Sequence, residues 1–248
     1  MPRSARRKSN SGIYHIMLRG INRQQIFEDI EDNQRFLDTL LKYREQCGYV
    51  IYAYCLMGNH IHILLKEGKE DLAVVLKRIA GSYVYWYNWK YHRIGHLFQD
   101  RFKSEPVEDD AYFLTVLRYI HQNPIKAGLC KKVDSYQYSS FNEYFTKSEL
   151  VDTDFALSMI SREQFIDYHL EENSDECLEI QEDYRLTDDE AREIIVKITK
   201  CKNVAQFQQL DATKRKSCIQ KLYIKGLSIR QISRLTGVSK KTVENNIS

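Results

Sequence analysis

The stretch Met57-Gly58-Asn59-His60-Ile61-His62-Ile63-Leu64-Leu65 constrains the fold more than any other part of the chain. The residues before it, Tyr49 to Leu56, are β-branched, aromatic or apolar, and Gly58-Asn59 supplies a turn, so the unit reads as a β-hairpin. On its second strand His60 and His62 are two apart and share a face, with Ile61 and Ile63 on the other. Two imidazoles side by side can hold one divalent ion. They can equally well sit on a polar sheet face, and the pattern alone does not decide between these.

The flanking segments extend the hairpin into a domain. Ile13 to Gly20 alternates as a first strand, with Arg19 and Arg23 at the mouth of a polar loop. Glu31 to Cys47 has apolar residues at helical spacing and Gly48 just past its end. Asp71 to Tyr91 reads as a second helix. Its aromatic run of Tyr83, Tyr85, Trp86, Tyr87, Trp89 and Tyr91 suits a core or interface better than a base-stacking platform. Gly95 to Val107 is strand-like, and Asp109 or Asp110 caps a third helix through Gln122, which Pro124 is expected to end or kink near Asn123. The order β, α, β, β, α, β, α predicts an α+β domain, an antiparallel sheet with helices packed largely on one face. Tyr119 and Asn123 are four apart and share a helix face.

Charge is segregated along the chain. Residues 1–145 carry a net +5, 146–190 a net −12 and 191–248 a net +10. Two basic units around an acidic connector suit nucleic-acid binding. The six cysteines are scattered without a CxxC pair, which argues against a disulfide framework or a cysteine zinc site. No apolar run of membrane-spanning length and no signal-peptide pattern occurs, so a cytoplasmic protein without a membrane partner is expected.

The expected organisation is a catalytic domain at 1–145, an acidic helical connector at 146–186 and an all-α DNA-binding domain at 187–248. In the connector, Asp152–Ile160 and Arg162–Leu170 read as short helices before the Glu171–Glu176 run. In the last segment the helical period returns from Thr187, and Lys214 to Ile224 is helical. Residues 228–247 read as a helix-turn-helix, with Ser228 and Ser239 at N-cap positions, Gly237 in the turn and Ile232, Leu235, Val238 and Val243 as its small core. Lys240, Lys241, Thr242, Asn245 and Asn246 would then face the major groove of duplex DNA.

Three stretches together carry a resemblance. Gly58-Asn59-His60-Ile61-His62, Phe98-Gln99-Asp100-Arg101-Phe102-Lys103-Ser104, and Arg118-Tyr119-Ile120-His121-Gln122-Asn123-Pro124 with the following Ile125 to Leu129 resemble the single-tyrosine HUH transposases, in the branch associated with repetitive extragenic palindromes (REP). The resemblance covers about residues 10–145 and implies an HUH, ferredoxin-like catalytic fold. It implies that Tyr119 attacks a phosphodiester of single-stranded, hairpin-forming DNA, giving a 5′-phosphotyrosine and a free 3′-hydroxyl. It also implies that His60 and His62 hold Mg²⁺ or Mn²⁺, with imidazole favouring Mn²⁺. In similar transposases the residue four after the nucleophile is a third ligand, often Gln; here it is Asn123, as a direct ligand or a water-mediated partner.

The covalent intermediate conserves the phosphodiester energy, so rejoining needs no ATP. A phenol with an ordinary pKa of about 10 is mostly protonated at neutral pH, and a metal would offset the charge of the phosphate it attacks. Arg19, Arg23, Arg101, Lys103, Arg118 and Lys126 are candidate phosphate contacts, while His15, His92, His96 and His121 are read as structural. One tyrosine serves one strand transfer, so complete excision and rejoining would call for two active sites and a homodimer as one option. Two other readings are carried: a rolling-circle initiator or relaxase, and a domesticated helix-turn-helix regulator with vestigial catalysis.

Overall fold

The computed structural model describes residues 6–99, 101–173, 175, 177, 178, 188–201 and 203–247. Asp100 of the second motif, Ser174 and Glu176 of the acidic run, and Thr187 with the boundary expected beside it lie outside the described residues. The chain divides into two compact units, residues 1–179 and 180–248.

The first unit contains β1 (Ile13–Arg19), α1 (Ile30–Cys47), β2 (Val50–Met57), β3 (His60–Lys66), α2 (Leu72–Lys90), β4 (Lys103–Pro106) and α3 (Asp110–Lys126). The strands form one sheet in the order β2-β3-β1-β4, with every neighbouring pair antiparallel. This is the α+β plan expected. The last strand is shorter than its alternation suggested, four residues, although Phe98 still bridges to Gly20.

Local chemistry sets the helix ends. The Asp29 carboxylate accepts the Asp32 backbone N–H while Asp32 reciprocates, and Gly48 closes α1 in the left-handed region at φ 68°. Asp71 caps α2 and Asp109 caps α3. Pro124 does not end α3: it sits in the last turn, the helix runs on to Lys126, and a left-handed Gly128 follows. At that place proline removes one intrahelical hydrogen bond and leaves the closing bonds from the Ala127 and Leu129 N–H groups intact.

The sheet is covered on both faces rather than largely on one. Ile16, Leu18, Ile61 and Ile63 on one face and His15, Met17, His62 and Leu64 on the other are all buried. α1 and α2 pack on each other, and α3 packs on β2 and β3 on the histidine side. The aromatic run of α2 splits accordingly. Tyr83 and Tyr87 are buried, with the Tyr83 hydroxyl donating to the Ile26 carbonyl, whereas Tyr85 and Trp89 are exposed.

The acidic segment is not a free linker over its first part. Residues 136–152 cover the outer edge of β2 through Leu56 N–H to Tyr138 O, Asp152 N–H to Ile51 O and the bridges Cys55–Ser139 and Ile51–Val151. Two short helices, α4 (Asp154–Leu157) and α5 (Arg162–Leu170), follow. Ala156 and Phe165 are fully buried in the core of the first unit, and burial of a ring the size of Phe165 contributes about 1.5–3 kcal/mol.

The second unit is helical: α6 (Asp188–Thr199), α7 (Val204–Gln208), α8 (Ala212–Ile224), α9 (Ile229–Thr236) and α10 (Lys240–Ile247). Its core includes Ile195, Phe207, Ile219, Leu222, Ile232 and Val243. Ser228 and Gln231 form a reciprocal cap for α9, and Ser239 accepts the Thr242 N–H at the start of α10. Gly237 is required twice over. Its φ is 71°, and an added Cβ would meet Gln208 and Val204 of the unexpected short helix α7 at 2.6 Å.

Candidate active site

Strand register assembles the first half of the site. Antiparallel pairing sets Arg19 opposite His60, Met17 opposite His62 and His15 opposite Leu64. Alternation then brings His15, Arg19, His60 and His62 to one face. The His60 and His62 ring centroids are 5.1 Å apart at 83°, and those of His15 and His62 are 5.2 Å apart. His15 Nε2 and His62 Nδ1 are hydrogen-bonded at 3.0 Å. Sequence alone assigns His15 a structural place; the register sets it against one of the two candidate ligands. Its signal was its even spacing from Arg19, visible only once β1 is known to pair with β3.

Helix α3 supplies the second half. Tyr119 and Asn123 are buried, at 1% and 9% exposure. The Tyr119 ring meets both His15 and His62 edge-on at 5.8 Å, and the Lys126 ammonium lies 4.7 Å from the Tyr119 ring centroid. The Asn123 amide donates from Nδ2 to the Tyr119 carbonyl at 2.9 Å, so its position is set by its own helix rather than loosened by Pro124. Oδ1 is the remaining atom of that amide suited to a cation.

Burial disfavours the charged form of His15 and His62. His15 is pushed down to about 3 by desolvation, and His62 falls well below the ordinary imidazole value for the same reason, reinforced by its histidine neighbours. His60 Nδ1 lies 2.6 Å from Asn59 Oδ1, while the Asn59 Nδ2 donates to the Arg23 carbonyl. An amide oxygen only accepts, so His60 donates from Nδ1, which leaves Nε2 as the nitrogen through which it could ligate.

These residues fit a divalent ion. Two imidazoles ligating one ion at about 2.1 Å, with cis to tetrahedral angles, hold their centroids about 5 Å apart. Among the described residues no group of three or more His, Cys, Asp or Glu is arranged to hold a metal. Further ligands would therefore come from Asn123, water or substrate.

The candidate phosphate contacts divide. Arg23, Arg101, Lys103 and Lys126 are exposed, and Arg19 is half-buried beside His60. Arg118 does not face solvent. It is 7% exposed, its guanidinium meets Glu171 at 2.9 Å and Asp175 at 2.8 Å, and it lies over the Tyr168 ring. The acidic segment claims it before any phosphate can. His121 is a buried structural group, bonded to His169 at 2.9 Å and to Ser140 at 2.8 Å. In the second unit Lys240, Lys241, Thr242 and Asn245 are exposed on α10, with Lys240 3.4 Å from Glu244.

Residues 8–123 match the family model of IS200-like transposases. A REP-associated tyrosine transposase of Haemophilus influenzae is 25% identical over 114 residues, covering 40% of this chain. The chain spans 65% of that relative's length, just under two thirds. Among solved structures, a REP-associated tyrosine transposase bound to a REP hairpin has the same fold, with a TM-score of 0.52 at 19% identity over 62% of this chain and 90% of its own. A transposase from Deinococcus radiodurans also matches, at 19% identity and a TM-score of 0.35, over 49% of this chain and 97% of its own. No described helix is long and apolar enough to cross a membrane. Residues 8–123 of this chain are thus similar to the IS200-like transposases and, within them, to the REP-associated tyrosine transposases.

Proposed function

We propose that the first unit cuts and rejoins single-stranded DNA through Tyr119. The observation that carries this is the packing of the Tyr119 ring 5.8 Å from His62, which in turn lies 5.1 Å from His60. The Tyr119 hydroxyl gives its proton to water as its oxygen attacks phosphorus, the P–O3′ bond breaks, the 3′ oxygen takes up a proton from water, and the 5′ side stays on the enzyme as a phosphotyrosine. Attack by the 3′-hydroxyl of another strand end reverses the step.

His60 and His62 would hold Mn²⁺ or Mg²⁺ by Nε2, with Asn123 Oδ1 as a direct or water-mediated partner. When bound, the ion polarises the scissile phosphate and offsets the charge that develops in the transition state. Lys126, close to the Tyr119 ring, favours negative charge on the phenolic oxygen. Arg19, Arg23, Arg101 and Lys103 are the cations that would guide the phosphate backbone. Because Tyr119 is 1% exposed, engagement of a strand requires movement of α3 or of the side chains above it.

The solved relative is bound to a REP hairpin, which makes hairpin-forming single strands the first substrates to offer. The second unit, with its glycine turn between α9 and α10, reads as a helix-turn-helix that binds duplex DNA through Lys240, Lys241, Thr242 and Asn245. The test is incubation of the full chain with labelled single strands from both flanks of its gene, with Mn²⁺ or Mg²⁺. Metal-dependent cleavage lost in His60→Ala and Tyr119→Phe supports the reading. Cleavage that survives in Tyr119→Phe contradicts it.

A further inference from the structure

We infer that His15, backed by Glu105, is a positioning residue that holds His62 in the one tautomer able to ligate a metal. The inference rests on the reading of His62 as a ligand and adds residues that lie outside all three motifs.

The 3.0 Å contact between His15 Nε2 and His62 Nδ1 contains one proton, because two N–H groups cannot face each other at hydrogen-bond distance and two lone pairs make no bond. If the proton sits on His62 Nδ1, the lone pair of His62 is on Nε2 and can face an ion. If it sits on His15 Nε2, His62 carries N–H at Nε2 and cannot ligate.

Two orphaned atoms choose between these. His15 Nδ1 is buried without a hydrogen-bond partner, and so is Glu105 Oε2. His15 and Glu105 are directly opposite in the β1–β4 pairing, so their side chains share the histidine face. Tyr112 of α3, the helix on that face, interacts with the Glu105 carboxylate, which anchors it there. A proton on His15 Nδ1 gives the orphaned carboxylate oxygen a donor, directly or through one water, and satisfies both atoms. His15 Nε2 must then accept, His62 Nδ1 must donate, and His62 Nε2 is left with its lone pair. The opposite assignment leaves the His15 Nδ1 lone pair and the Glu105 carboxylate oxygen both buried and unsatisfied, which costs about 1–3 kcal/mol for each group.

His60 has the same arrangement by a simpler route, with Asn59 Oδ1 accepting from its Nδ1. The two candidate ligands are thus each oriented from behind, one by an amide and one by a histidine with a carboxylate behind it.

The direct test uses wild-type, metal-free protein labelled with ¹⁵N-histidine. Ring-nitrogen shifts should show His62 protonated at Nδ1, with a coupling across the hydrogen bond to His15 Nε2. Protonation of His62 at Nε2 overturns the inference without any mutation. Mn²⁺ titration calorimetry then tests the consequence. His15→Leu should weaken Mn²⁺ binding about 10–100-fold, with Glu105→Ala in the same direction, and His15→Gln, whose amide oxygen accepts, should recover most of the loss. Undiminished binding in His15→Leu, with binding lost in His60→Ala, overturns the role of His15 and leaves the metal reading standing. Wild-type protein that binds no Mn²⁺ contradicts the metal reading itself.

Discussion

Arg118 and Asp175 are 57 positions apart, yet the guanidinium meets the carboxylate at 2.8 Å, one residue along α3 from the buried Tyr119. Gln122 and Lys126 of the same helix reach the same segment, at the His169 and Asp175 carbonyls. His169, Glu171 and Asp175 are therefore tied along α3 and strap it. Arg118→Ala leaves the largely buried Asp175 carboxylate unpaired and should cost about 2 kcal/mol, the exposed Glu171 adding little. Urea unfolding with a native-like slope would measure it; an unchanged midpoint would show that the strap carries no stability.

Gly20 joins β1 to the turn that carries Arg23. A Cβ there would collide with the Gln24 carbonyl and the Ile26 side chain, and backbone cannot give way as a flexible side chain would. Gly20→Ala should destabilise by about 1–3 kcal/mol. It should also weaken single-strand binding more than an exposed Gly81→Ala, which meets nothing and should be neutral or stabilising.

Acid should unfold the first unit through a histidine the chemistry does not use. His169, on α5, is pushed down to about 4, chiefly by burial. Its folded value lies below its unfolded one, so its contribution is fully present above about pH 6.5 and is lost as pH falls toward 4. The slope from this group approaches about 1.4 kcal/mol per pH unit inside that window. Stability measured from pH 7.5 to 5 should fall, and the His169→Gln variant should fall less steeply.

In the second unit, Lys241→Ala should weaken duplex DNA binding and reduce the salt dependence of binding by about one counterion. Fluorescence anisotropy across a salt series separates this from a loss of folding, which circular dichroism would report.

The parts of the site that were legible are those set by local rules. His60 and His62 share a face because a strand alternates, and Ser228 at an N-cap position announces a helix start that the structure contains. The contact of His15 with His62 was illegible because it depends on which strand pairs with β1 and in what register. Arg118 misled because a basic residue beside Tyr119 reads as a phosphate contact until the fold brings Glu171 and Asp175 to it. Phe165 lay in a segment whose charge suggested a linker, and only tertiary packing places it in the core.

The central claim is that Tyr119 becomes covalently bound to DNA. The most direct measurement is mass spectrometry of the peptide containing Tyr119 after reaction of the full chain with a cleavable single strand and Mn²⁺. The account predicts a 5′-phosphate-linked nucleotide on Tyr119, absent without metal and absent in His60→Ala. Cleavage products with Tyr119 unmodified, or an adduct on another residue, would contradict it.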